Sequence, residues 1–257
     1  MTIQHLGRTT AIALVAAALS LAGCKPAAST GAAAAPTAAP AAGAFTIQAQ
    51  PDLGPENQAL PRFSGGDPAI AAKLNAAMGK LDASNADLLT SCPEMAHGGR
   101  SQMVKVTRNG PDFVAVEAAY ESDCGAYPSS GTDAYLFDLK TGGLIDWAAA
   151  VPEARITNSD PDTELFTNSF FSPVLQARIV AAAKAETDAE WRTGCVEVLE
   201  REGLYLTARI NTETGTLDVT PELPHVVQAC ANSLSLTPAD LTALKADPRL
   251  IAAVRKG

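Results

Sequence analysis

Asn109-Gly110 stands between two runs that alternate with a period of two, and no other feature of the chain limits its fold so tightly. Val104 and Val106 precede it, and Val114, Val116, Ala118 and Tyr120 follow, each separated by polar or small residues. Asn-Gly supplies the positive φ angles of a tight hairpin turn, so residues 101–108 and 112–122 are expected to form antiparallel arms. The same period returns in Tyr135, Phe137 and Leu139, and again in Leu204, Leu206, Ala208 and Ile210. Thr141-Gly142-Gly143 and Thr214-Gly215 are the matching turn signals. Alternation of this kind describes half-buried strands.

Helices announce themselves by another device, a capping side chain followed by proline at the first helical position, where a missing N–H costs nothing. Asp67-Pro68 opens a helix with Ile70, Leu74, Met78 and Leu81 on one stripe. Ser172-Pro173 opens a second, carrying Leu175, Ile179 and Ala183 towards Trp191. Thr237-Pro238, with Asp240 in the first turn, and Asp247-Pro248 open two short ones near the C-terminus. These stripes have core-facing spacing. Strands and helices come in blocks without regular βαβ alternation, so the expected class is α+β: antiparallel sheets of hairpins packed with a few short helices.

The first 23 residues read as a leader. Arg8 precedes an apolar stretch that ends Leu21-Ala22-Gly23-Cys24. A basic start, a short apolar run and small residues before the cut mark an export signal, too short to span as a mature helix. The last four residues resemble the bacterial lipobox, which implies cleavage before Cys24 and acylation of its thiol and new amino group. One acyl chain holds a protein marginally, at ~0.8 kcal/mol per buried methylene, and two suffice for stable attachment. Lys25 stands where Asp would be expected for inner-membrane retention, so the expectation is an anchor in the outer membrane, facing the periplasm. Residues 24–43, the lipidated cysteine and an Ala/Pro-rich run, are read as a disordered tether.

The folded part then runs from 44 to 257, long enough for a substantial core. The whole chain carries a net charge of −9, and the leader takes away Arg8 but no acidic residue, leaving −10. Such a surface disfavours nucleic acid and anionic head groups and favours basic partners.

Four cysteines remain after cleavage: Cys92, Cys124, Cys195 and Cys230. In an oxidising compartment an even number reads first as disulfides, and three pairings are possible. The hairpin about Asn109-Gly110 brings Cys92 back near Cys124, and a hairpin about 211–215 brings Cys195 towards Cys230, although Pro221 and Pro224 interrupt its second arm. The preferred bridges are therefore Cys92–Cys124 and Cys195–Cys230. Each closes a loop of about 35 residues, contributing roughly 3–4 kcal/mol on a chain-entropy argument.

Catalytic signals are sparse. A thiolate nucleophile needs a base, and Cys92 with His97, or Cys195 or Cys230 with His225, would supply one, but none sits in a nucleophile motif. No Gly-X-Ser-X-Gly, His-Glu-X-X-His, P-loop or dinucleotide fingerprint occurs. Asn158, Asp160, Asp162 and Glu164 alternate as a calcium loop begins, yet Thr163 and Ser169 occupy the positions that need Gly and a bidentate Glu. Glu186, Asp188 and Glu190 read as an exposed helix end. The expectation is a chain without catalytic residues, metal ligands or cofactor.

One segment carries a signature: Tyr120 through Pro128, with Gly125-Ala126-Tyr127-Pro128, followed by Tyr135 through Trp147, with Phe137-Asp138-Leu139-Lys140-Thr141-Gly142. It resembles the RsiV-like extracytoplasmic domain family, which includes the anti-sigma-V ectodomain and the accessory domain of PdaC-type peptidoglycan deacetylases. Pro61 to Ala77, Gly203 to Leu206 and Ala229 to Leu241 resemble further elements of that family in the same order. The resemblance implies one RsiV-like domain with an N-terminal half at 44–131 and a C-terminal half at 132–257. It further implies a binding module for peptidoglycan or a wall-acting protein such as a lysozyme-type hydrolase. An assembly or structural lipoprotein is the alternative, with a hydrolase third. In the signature strands Phe137 and Leu139 are expected to face a core and Asp138 and Lys140 to face water. Tyr127 replaces a frequent histidine, and in its loop it is the side chain expected to be exposed and to contact a partner.

Overall fold

The computed structural model of the chain describes residues 45–90, 99–123, 128–159 and 168–255. Cys24 and the tether, Cys92, His97, Cys124, Tyr127 and residues 160–164 lie outside the described residues.

Strand β1 (Phe45–Gln48) pairs antiparallel with β2 (Arg62–Gly65). Helix α1 (Pro68–Thr90) begins at the expected cap, where Asp67 Oδ1 accepts from the Ala69 N–H at 2.7 Å. Its stripe buries Leu74, Met78 and Leu81, each worth about 1.5–3 kcal/mol relative to exposure. This helix is not short. It runs for 23 residues, because neither Gly nor Pro interrupts the chain between Leu81 and Thr90.

The chain then forms a four-stranded meander of β3 (Arg100–Asn109), β4 (Phe113–Ser122), β5 (Ser129–Asp138) and β6 (Gly143–Leu144), in that order. The Asn109-Gly110 turn closes with the Gly110 N–H donating to Phe113 O at 3.0 Å, and a bulge at Val106/Arg108 bends β3. Gly142 turns the chain into β6 with φ +73°, and a Cβ there would meet the Lys73 side chain of α1 at 3.1 Å.

Helix α2 (Trp147–Ala150) and a 3₁₀ turn (Pro152–Ala154) lead to β7 (Thr157–Asn158) and β8 (Ser169–Phe171). Helices α3 (Pro173–Lys184) and α4 (Ala189–Leu199) follow, then β9 (Tyr205–Asn211), β10 (Thr216–Pro221), a 3₁₀ turn (His225–Cys230) and β11 (Leu234–Leu236). Helices α5 (Pro238–Ala243) and α6 (Pro248–Val254) complete the described chain. The second sheet is antiparallel in the order β11-β10-β9-β8-β7. Three antiparallel sheets with helices make the fold α+β, as its blocks of pattern predict.

Two hydrophobic clusters share the four-stranded sheet. Val114, Val116, Ala118, Tyr135, Phe137 and Leu139 pack with α1 and the β1–β2 pair. From the opposite face, Phe113, Ala115 and Leu136 join a larger cluster with Trp147, Phe170, Leu175, Leu206 and Ile210. Strands read as half-buried are therefore covered on both faces where β4 and β5 adjoin.

Two expectations need correction. Asp138 does not face water. It is buried on the side of the larger cluster, where Arg249 holds both its carboxylate oxygens at 2.9 Å. The helix opened by Ser172-Pro173 does not continue to Trp191 either. It ends at Lys184, and Asp188 caps a new helix by accepting from the Glu190 and Trp191 N–H groups at 3.0 Å. Lys140, by contrast, is exposed as expected, and the acidic run at 186–190 is a helix end.

Candidate functional site

Antiparallel pairing leaves alternate residues of an edge strand with their peptide groups turned outward. On β5 these are the even-numbered residues. Leu136 O accepts from the Ile145 N–H at 2.8 Å, and Ser130 O accepts from Gln228 Nε2 at 3.3 Å, both on the side away from β4. The short β6 covers only Phe137 and Asp138. Between these closures the N–H and C=O groups of Thr132 and Ala134 have no partner among the described residues. The edge opens into a cavity of about 770 Å³.

The facing wall is the polar side of the second sheet. Leu206, Ala208 and Ile210 point into the larger core, so the intervening Thr207 and Arg209, with their β10 partners Thr220 and Asp218, line the cavity. The C-terminal half of α1 contributes Leu81, Ser84, Asn85 and an exposed Leu88. A smaller cavity of about 440 Å³ shares Arg100, Ser122 and Ser129 and is lined by Glu56, Glu121 and Asp123.

Charge in the cleft is unevenly balanced. Arg209 lies 3.7 Å from Glu117 and 3.9 Å from Asp218. Burial works against ionisation of Asp218, but hydrogen bonds from Asn211, Ser235 and Thr216, at 2.7–2.8 Å, outweigh it and lower its pKa. Asp133 stands in the opposite condition. Burial raises its pKa, and neither the charge of Arg100 nor the hydrogen bond from the Tyr135 hydroxyl cancels the shift. Glu222, one residue beyond β10 and exposed at the rim, is pushed up to about 7 by desolvation of its carboxyl and then by the charge of Asp133.

The aromatic floor is ordered by the same groups. Arg100 lies over the Tyr120 ring with its guanidinium carbon 4.7 Å from the centroid, a cation–π arrangement. Gly131 makes room for that ring, since a Cβ there would fall 2.7 Å from the Tyr120 hydroxyl. Burial and the charge of Asp133 raise the pKa of Tyr120 and of Tyr135, so both phenols stay protonated donors. Asn168 is 5% exposed, and its Oδ1 accepts from Trp147 Nε1 at 2.9 Å. Its Nδ2, on a residue that lines the cleft, has no hydrogen-bond partner among the described residues.

Of the residues singled out from sequence, Cys195 and Cys230 form the expected disulfide. It ties α4 to the 3₁₀ turn that carries Gln228, and so to the end of the cleft. A thiolate paired with His225 is thereby removed. Tyr127 lies outside the described residues, and its flanks Asp123 and Pro128 line the smaller cavity. Among the described residues no group of three acidic, His or Cys side chains could hold a metal ion. Asn158, from the calcium-like run, donates to Asp146 Oδ1 at 2.7 Å.

Arg100, Asp133, Asn168 and Glu222 were not singled out. For Asp133 a signal existed: it lies two residues before Tyr135 on the core-facing side of an alternating strand, where a charge needs an explanation. Nothing local marks Glu222.

No protein-family model matches the chain, and no curated protein matches it. Among solved structures it is similar to a DUF3298 family protein from Pseudomonas aeruginosa PAO1. Identity is 13%, the match covers 77% of this chain and 85% of the other, and the TM-score is 0.46. At that distance no residue role passes from one chain to the other.

Proposed function

We propose that the protein is a lipid-anchored, non-catalytic binding module of the bacterial envelope, and that the cleft along β5 is its binding surface. Its partner is peptidoglycan or a basic wall-acting protein such as a lysozyme-type hydrolase. The observation that carries this reading is the pairing of an open strand edge with one buried donor, Asn168 Nδ2, that has no partner among the described residues, in one cavity of about 770 Å³. Built sites of this size, with a few convergent polar groups on rigid elements, are where ligands bind. The leader ending in Cys24, the acidic charge and the RsiV-like segments support the compartment and the partner class.

The test uses the purified lipoprotein in detergent. It is expected to co-sediment with purified sacculi or to bind a basic wall hydrolase with an on-rate that falls as salt rises. A Tyr120→Ala/Arg100→Ala variant, still folded by circular dichroism, is expected to lose at least tenfold in affinity. Tyr127→Ala tests whether the adjoining loop takes part. No binding to either partner would overturn the reading in favour of a structural lipoprotein. Release of soluble wall fragments by the protein alone would overturn it in favour of a carboxylate hydrolase. Cys24→Ala is expected to leave an uncleaved or soluble, unacylated product, and wild-type protein found entirely in the soluble fraction without detergent would overturn the anchor.

A further inference from the structure

Three features of the cleft converge on one kind of ligand. Thr132 and Ala134 offer two outward N–H and two outward C=O groups, a template that an extended chain can complete by strand addition. The open edge is bounded by Gln228 at Ser130 and by β6 at Phe137, which leaves room for about four or five residues at ~3.4 Å each. Asn168 Nδ2, on a residue lining the cavity, is a buried donor with no acceptor among the described residues. A backbone carbonyl supplies one.

The charges then choose among peptides. Arg209 is already engaged by Glu117 and Asp218, while Arg100 lies over Tyr120 and offsets Asp133 only in part. Asp133 and Glu222 both line the cavity, and the charge of Asp133 acts on Glu222. A residue paired opposite Asp133 projects to the same face of the sheet, with Cβ atoms about 5 Å apart. A cationic side chain there lies against Asp133, in the cavity that Glu222 also lines.

We propose that the cleft binds an extended peptide segment of a protein partner, paired along the open edge of β5, with a lysine or arginine seated between Asp133 and Glu222. The proposal rests on the cleft being the binding surface and narrows its ligand to a basic peptide.

The experiment titrates the purified lipoprotein with acetyl-Val-Thr-Lys-Thr-Val-amide, followed by NMR up to millimolar concentration. Norleucine in place of lysine is expected to weaken binding at least tenfold. Two further peptides carry N-methyl groups on alternate residues, one set at odd and one at even positions. One set is expected to weaken binding tenfold or more, because it blocks the edge, and the other to have little effect. Glu222→Gln is expected to weaken the lysine peptide several-fold and leave the norleucine peptide unchanged. Equal binding of lysine and norleucine peptides would overturn the cation seat. Equal behaviour of the two N-methylated sets would overturn strand addition. If sacculi or the hydrolase bind and no peptide does, this proposal falls and the binding module stands. If nothing binds, both fall.

Discussion

Arg249 reaches residues far from it in sequence and decides the fate of Asp138. Its guanidinium holds both Asp138 oxygens at 2.9 Å, contacts Asp247 at 2.8 Å and lies 5.3 Å from the centroid of Phe113. The hydrogen bonds from Arg249 and the Lys140 N–H overcome the burial that would raise the pKa of Asp138, and the net shift is downward. The contribution of Asp138 to stability is therefore full above the ordinary carboxylate range and is lost as pH falls through its lowered value. Removing one partner of a buried pair strands the other, at 3–5 kcal/mol when burial is complete. Here Arg249 keeps 31% of its side chain exposed, so Arg249→Ala is expected to cost about 2–3 kcal/mol in urea unfolding at pH 7. A loss under about 1 kcal/mol would show that water replaces the guanidinium. Alternation correctly placed Asp138 on the side opposite Phe137. It could not say that this side is roofed by a helix 111 residues later.

At the scale of elements, local signals held wherever the chemistry is local. All four cap-proline starts are helix starts, and Thr237 with Asp240 makes a full capping box. The break between α3 and α4 carries no such signal, because Asp188 caps without a proline after it. The hairpin of β9 and β10 returns the chain as expected, and Cys230 meets Cys195 across a sequence separation of 35. Trp191 Nε1 reinforces the join by donating to Ala229 O at 3.0 Å. The paired substitution Cys195→Ser/Cys230→Ser is expected to lower stability by roughly 3–4 kcal/mol, chiefly by freeing the unfolded chain. A chemical-denaturation midpoint that does not move would contradict this. The candidate cleft was less legible than these elements, since its residues come from α1, from β3, β4, β5, β9 and β10, and from the chain beside β8. Its one local trace in the sequence is the charge at Asp133, out of place in an alternating strand.

The whole molecule depends on β4 and β5 having two apolar faces. Val114, Val116 and Phe137 serve the smaller cluster, while Phe113, Ala115 and Leu136 of the same strands serve the larger. Neither cluster can lose order without uncovering one face of the shared sheet, so the described fold should unfold as one cooperative unit. The tryptophans make this measurable. Trp147 is buried in the larger cluster and Trp191 packs against it, so fluorescence reports that side alone. Leu74, fully buried in α1, belongs to the smaller cluster, and Leu206, fully buried in β9, to the larger. Truncating either side chain leaves a cavity and is expected to cost about 2–5 kcal/mol. Leu74→Ala should therefore shift the tryptophan-fluorescence midpoint as far as the far-ultraviolet circular dichroism midpoint, as Leu206→Ala should. If Leu74→Ala moves the dichroism transition and leaves the fluorescence transition in place, the clusters unfold separately. The shared sheet would then be a contact between two domains, and the cleft beside it an interdomain surface.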